Sequence, residues 1–297
     1  MSAQRYLVSH ETRYEYGREV AHSHQLLHLT PRQDCPRQEC LDHLIRIDPQ
    51  PAVLSEHVDA FGNRVTRVEL DRPHEELLVC AQMTVSIDAA AEPSNEEGEH
   101  WESVRDALSY QPRPPASEWL EAMRFRGESP FVRIKRLFSD FARDCFGPRR
   151  SVLKVADSLM RKVHEEFTYA PGETEIATPL LEVFHKRRGV CQDYAHLMIA
   201  CLRSAGLSAR YVSGYLRTHS EALIGADASH AWVAVFAPPF GWVEFDPTNN
   251  VRVHQEHVVL AWGRDFGDVS PLRGVILGGG SHTLTVNVTV QPLPQPG

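Results

Sequence analysis

Three short segments carry side chains whose types and order suit one chemistry. In Gly189-Val190-Cys191-Gln192-Asp193-Tyr194 a glycine ends one element and a cysteine opens an apolar run. If that run is a helix, Cys191 sits in its first turn, where unpaired N–H groups carry partial positive charge. A thiolate is favoured there, and the same N–H groups can hold an oxyanion. The second segment is Ser229-His230-Ala231-Trp232-Val233, and the third runs from Gly241 through Asp246 to Thr248. Ala237-Pro238-Pro239-Phe240-Gly241 between them reads as a turn. In an antiparallel hairpin centred on Pro238, His230 and Asp246 are cross-strand neighbours on one face. The carboxylate would then fix the imidazole tautomer, and the other ring nitrogen would take the proton of Cys191.

Each of these residues also has a plainer reading. Cys201 lies within the same apolar run and reads as a core cysteine, as free cysteines commonly are. His230 alone would read as a strand histidine satisfied by a carbonyl; the presence of Asp246 argues otherwise. Asp246, before Pro247, also suits a strand-ending turn. Trp232 and Trp242 read first as core packing, and Asp227 and Ser229 as loop residues on the approach to His230. Of the six cysteines, Cys191 is expected to be the most reactive.

The elements that must position these residues are legible in outline. Residues 1–90 look β-rich: Gln38–Pro49 alternates, Phe61-Gly62-Asn63 suits a turn before Val65–Leu70, and Leu77–Ile87 reads as a strand. A small sandwich or open barrel is the expected form. Residues 91–100 are acidic and polar and suit a linker. Ser129-Pro130 predicts the start of a helix over Phe131–Phe146, and Ser151 the cap of the next. Thr178-Pro179 opens a short helix, and Cys191–Ala205 is the most apolar helix, with Gly206 as its stop. Strands follow at Arg210–Tyr215, His230–Phe236, Trp242–Phe245 and Thr283–Val290. The division is therefore a β domain over 1–90, a linker and helical segment over 91–150, and a core over 151–297 that includes the last strand.

Composition removes several function classes. The 297 residues carry 31 Lys and Arg against 39 Asp and Glu, a formal net charge of −8. That sign disfavours nucleic acid and anionic membrane as partners. No stretch approaches the roughly 18 apolar residues of a membrane span. The start of the chain has no apolar leader, so a cytoplasmic location with reduced thiols is expected. The histidine groups His22/His24/His28 and His254/His257 match no metal-site spacing, so neither metal nor cofactor is expected.

The runs GVCQDYAHLMIACLRSAGLSARYVSGYL, DASHAWVAVFAPPFGWVEFDPTNN and GRDFGDVSPLRGV resemble the bacterial branch of the transglutaminase-like superfamily. The opening YEYGREV…HLTPR is similar to the N-terminal β domain that accompanies it. The resemblance implies an α+β fold with a papain-like core of helices packed on an antiparallel sheet. It implies Cys191 as nucleophile, His230 as base and acid, and Asp246 as the orienting carboxylate. Some relatives place a side chain in the oxyanion hole, a role for which Tyr169 is the candidate here. Gln192, Asp193 and Trp232 are candidates to line the cleft. Animal transglutaminases carry a tryptophan soon after the cysteine; Gln192 and Asp193 stand there instead, and no calcium loop is evident. The implied substrate is a peptide or protein. A cysteine peptidase or amidase, a transglutaminase-type acyltransferase and a non-catalytic interaction module stay open, with a substrate gate or a dimer surface as roles for the N-terminal domain.

Overall fold

The computed structural model describes residues 3–89, 92–109, 116–218 and 229–294; Asp227 lies outside them. The chain opens with five strands: β1 (Gln4–Leu27), β2 (Gln38–Asp48), β3 (Val53–Val58), β4 (Arg64–Leu70) and β5 (His74–Ile87). Four helices follow: α1 (Trp101–Ala107), α2 (Ser117–Met123), α3 (Arg136–Ala142) and α4 (Val152–Glu166). A short strand β6 (Thr168–Tyr169), helix α5 (Leu180–Lys186) and strand β7 (Arg188–Gly189) lead to α6 (Cys191–Ser204). Then come β8 (Ala209–Leu216), β9 (His230–Phe236), β10 (Trp242–Asp246), β11 (Val251–Arg252) and β12 (His257–Gly263). A single turn α7 (Phe266–Val269) precedes β13 (Leu272–Gly278) and β14 (His282–Pro292).

The strands form two main antiparallel sheets. In the first, β1 lies in the middle of seven strands. Its first half is flanked by β5 and β14, its second half by β4 and β13. The buried parity of β1 changes from Tyr6, Val8, His10 and Thr12 to Ser23, Gln25 and Leu27. A bulge between Val20 and His22 shifts the pairing, and one extra residue turns the side-chain alternation over. The strand expected over 283–290 forms, but its partner is β1 of this first sheet, not a strand of the core.

The second sheet runs β11-β10-β9-β8-β12. Strands β8, β9 and β12 are buried along their whole length, as expected of strands covered on both faces. On one face α6 packs against Ala231, Val233 and Val235 in the main core. On the other, Trp232, Val259, Trp262 and Phe125 form a second apolar cluster. Arg32, 1% exposed, closes that cluster from the N-terminal region, with its guanidinium 3.5 Å from the Trp262 ring centroid.

Helix boundaries follow local chemistry where caps are strong. Ser151 Oγ accepts from Lys154 N at 3.0 Å and opens α4. Gly206, at φ +82, ends α6 in the left-handed region. The helix expected over Phe131–Phe146 is shorter. Ser129 and Val132 exchange backbone hydrogen bonds, and Phe131 N donates to Asp265 Oδ2 at 2.9 Å. This tertiary contact with the start of α7 holds the segment extended until Arg136.

Candidate active site

Cys191 is the first residue of α6, as the sequence pattern requires. Val190 O accepts from Asp193 N at 2.9 Å and Tyr194 N at 3.1 Å, so the helical ladder begins beyond Cys191 and Gln192. Asp193 turns back on this start. Its Oδ2 accepts from Val190 N at 2.8 Å and from Thr174 Oγ1 at 2.7 Å. The side chain is buried, and burial raises its pKa. Asp193 therefore anchors the turn that carries Cys191 and does not line an open cleft. Gly189 is required beside it, because a Cβ there would lie 2.5 Å from Asp193 Oδ2.

The β9–β10 hairpin brings His230 and Asp246 together. Its register pairs Phe236 with Trp242 and Val233 with Phe245. One step further, Trp232 stands opposite Asp246, so His230 is its diagonal neighbour and not its direct one. The face expected from the sequence is kept, and the diagonal is within reach. His230 Nε2 lies 2.8 Å from Asp246 Oδ2, with both side chains fully buried. Among the described residues His230 Nδ1 is buried with no other hydrogen-bond partner, and the Cys191 sulfur acts on the same ring. Burial alone would lower the His230 pKa; the charge and hydrogen bond of Asp246, with the Cys191 sulfur, raise it. Burial likewise opposes ionisation of Asp246, yet His230 and His257 hold its carboxyl well below the usual range. Asp246 Oδ1 also accepts from Thr248 N at 2.9 Å and Asn249 N at 3.2 Å. The residue is thus both the turn-former and the histidine's partner.

His257 is a member of this site that sequence reading missed. Its Nε2 stands 3.3 Å from Asp246 Oδ2. It opens an otherwise apolar strand, eleven residues from its partner, and that strand pairs with β8 and not with β10, so no local pattern announces the contact.

The other candidates divide. Tyr169 is close enough to Cys191 for the thiol's charge to add to burial in raising its hydroxyl to about 12. The β6–β7 ribbon explains that placement: Tyr169 pairs with Gly189, two residues before the cysteine. Gln192 is half-buried, and its Nε2 donates to Ile176 O at 3.3 Å. Trp232 is fully buried at 0% exposure, its ring 6.0 Å from His230 and 5.3 Å from His257, so it packs beneath the site without forming a cleft wall. The other five thiols are raised by burial first, Cys35 and Cys145 to about 11. Among the described residues no group of His, Cys, Asp or Glu side chains is arranged to hold a metal ion, and no helix is long and apolar enough to cross a membrane.

Comparison with known proteins agrees with this architecture. Residues 6–86 match the bacterial transglutaminase-like N-terminal region, and residues 139–247 match the transglutaminase-like superfamily core. An uncharacterized protein of Mycobacterium bovis is 36% identical over 304 residues, covering 99% of this chain and 94% of the relative. A protein-glutamine gamma-glutamyltransferase of Pseudomonas aeruginosa is 29% identical over 183 residues, covering 53% of this chain and 27% of that protein. A solved structure of a cysteine-protease candidate from Cytophaga hutchinsonii superposes with a TM-score of 0.76 at 20% identity, covering 100% of this chain and 93% of that one, and so shares the fold. The chain belongs to the transglutaminase-like superfamily of cysteine-dependent enzymes, with its core preceded by the bacterial transglutaminase-like N-terminal region.

Proposed function

We propose that the protein is a thiol hydrolase, a cysteine peptidase or amidase acting on peptide or carboxamide bonds. The observation that carries this reading is the His230 Nε2–Asp246 Oδ2 contact of 2.8 Å, which leaves Nδ1 free toward Cys191. His230 takes the thiol proton, and the Cys191 sulfur attacks the carbonyl carbon. The backbone N–H of Cys191, with the Tyr169 hydroxyl beside it, stabilises the tetrahedral oxyanion. His230 then gives its proton to the leaving amine as the C–N bond breaks, and a thioester remains on Cys191. Water, deprotonated by His230, attacks the thioester and releases the acid and the thiol. The substrate is a peptide or protein; neither nucleic acid nor membrane is a partner in this reading.

The similarity to a gamma-glutamyltransferase over half of the chain favours a second reading, in which an amine replaces water in the last step. One assay separates the two: a labelled casein digest with and without a dansylated primary amine, for wild type and Cys191→Ala. Fragments or ammonia without incorporation, lost in the variant, are the expected result. Amine incorporation lost in the variant would establish the transferase. Turnover that survives Cys191→Ala would overturn both. Silence, with Cys191 also unreactive to iodoacetamide, would leave a non-catalytic interaction module.

A further inference from the structure

His257 occupies the inner end of the site, on a strand that contributes nothing else to it. Its Nε2 and that of His230 meet the same oxygen, Asp246 Oδ2, at 3.3 and 2.8 Å. A ring nitrogen facing a carboxylate oxygen must carry a proton to be favourable there, so His257 donates from Nε2. Burial lowers its tendency to take a second proton, and His230 and His254 act in the same direction, against Asp246. Among the described residues, the titratable groups that act on the ring are Asp246 from β10, His230 from β9 and His254 from the connection before β12. Trp232 fixes the ring plane edge-on, at 83° and 5.3 Å. Gly214 gives Trp232 its place, because a Cβ there would come within 2.4 Å of the indole.

The donors around Asp246 differ in origin. Thr248 N, Asn249 N and Asn249 Nδ2, the last at 2.7 Å, belong to the turn that Asp246 itself begins. They rotate with the carboxylate. His230 is the group to be positioned. His257 is the donor on a separate strand, β12, which is anchored along β8 and not to the hairpin.

We propose that His257 is a positioning residue: as a neutral donor from β12 it fixes Asp246 Oδ2 toward His230 and thereby sets how much of Cys191 is present as thiolate. This rests on the reading of Cys191 as nucleophile. It does not depend on which substrate the enzyme takes.

The test is the pH profile of Cys191 alkylation by iodoacetamide, located by peptide mass mapping. The full-length proteins are wild type, Cys191→Ala, His257→Phe, His257→Gln and His257→Asn. Phenylalanine keeps the ring against Trp232 and removes the donor. Glutamine places an amide N–H where Nε2 was. Asparagine is too short to reach Asp246. In wild type Cys191 should be alkylated ahead of the other five thiols, all of which burial raises. Phe should move the acid limb up by about one pH unit, roughly a tenfold slower reaction near the foot of the profile. Gln should stay within about threefold of wild type. Asn should repeat the Phe result and carries the test where Phe does not fold. A Phe or Asn profile superimposed on wild type, or Gln as impaired as Phe, would overturn the assignment. A wild type in which the other cysteines react as fast as Cys191 would overturn the nucleophile reading and this one with it.

Discussion

At the scale of single residues, the site is an arrangement of charges made tolerable by burial in the right company. A carboxylate with 0% exposure would be too costly unpaired, and Asp246 is matched by donors at both oxygens. Asp246→Asn replaces an acceptor by an amide and removes the charge that holds His230 protonated. The expected loss in turnover is on the order of 10³-fold, with the fold retained, measured on the same casein substrate. A loss under tenfold would mean that the carboxylate does not orient the imidazole. The pair also sets a stability window. Asp246 has a folded pKa below its unfolded 3.8, so its contribution is present above that value and is lost as pH falls through the depressed one. His230 has a folded pKa above its unfolded 6.5, so its contribution is full below that value and is lost as pH rises through the raised one. Urea midpoints of wild type and Asp246→Asn should therefore differ most between these two unfolded values and converge on either side. A difference that stays the same from well below 3.8 to well above 6.5 would contradict the coupling.

At the scale of elements, the site is built where four short features converge: the first turn of α6, the β6–β7 ribbon, the β9–β10 hairpin and the start of β12. The first and third were legible in the sequence. Glycine before cysteine, an apolar helical run and two apolar strands around a proline turn are local signals. The hairpin register was legible only to within a pair, because the turn chemistry of Ala237–Gly241 sets it and the strands are apolar on both faces. β12 was not legible as part of the site: HVVLAWG is a short apolar run with no alternation, and its place beside β8 follows from strand order alone. Nor was the late start of α3, since Asp265, far away in sequence, takes the Phe131 amide. Packing at β8 gives a direct check. In Gly214→Ala the new methyl would lie 2.0 Å from Val258 O and 2.4 Å from the Trp232 ring. The expected cost is about 3 kcal/mol by chemical denaturation, well above the roughly 1 kcal/mol expected for removing the α4 cap in Ser151→Ala. Equal costs would mean that β8 and β12 relax apart freely.

At the scale of the whole molecule, the chain does not read as beads on a string. The notable feature is that β13 and β14, after the core, return to flank β1, so the first sheet is made from both ends of the sequence. The alternation of Thr283–Val290 announced a strand with a buried face, but nothing local could say which sheet it would join. Long-range contacts tie the halves further. Tyr215 of β8 meets His10 of β1 at 2.9 Å, and Gln38 exchanges two hydrogen bonds with the Val259 backbone, at 2.7 and 2.8 Å. Residues 1–89 expressed alone lack two of the seven strands and leave β1 unpaired on one side. They are expected to stay unfolded by circular dichroism and amide exchange, and to fold when residues 270–294 are supplied as a peptide. An independently folded 1–89 fragment would contradict this view of the architecture.

The central claim is that Cys191 becomes acylated during turnover, and the direct measurement is intact-protein mass spectrometry of acid-quenched enzyme mixed with a reactive acyl donor peptide. The expected result is a mass increment of one acyl group, mapped to Cys191, discharged by hydroxylamine and absent from Cys191→Ala. Substrate turnover with no such adduct, or an adduct that persists in Cys191→Ala, would contradict the account.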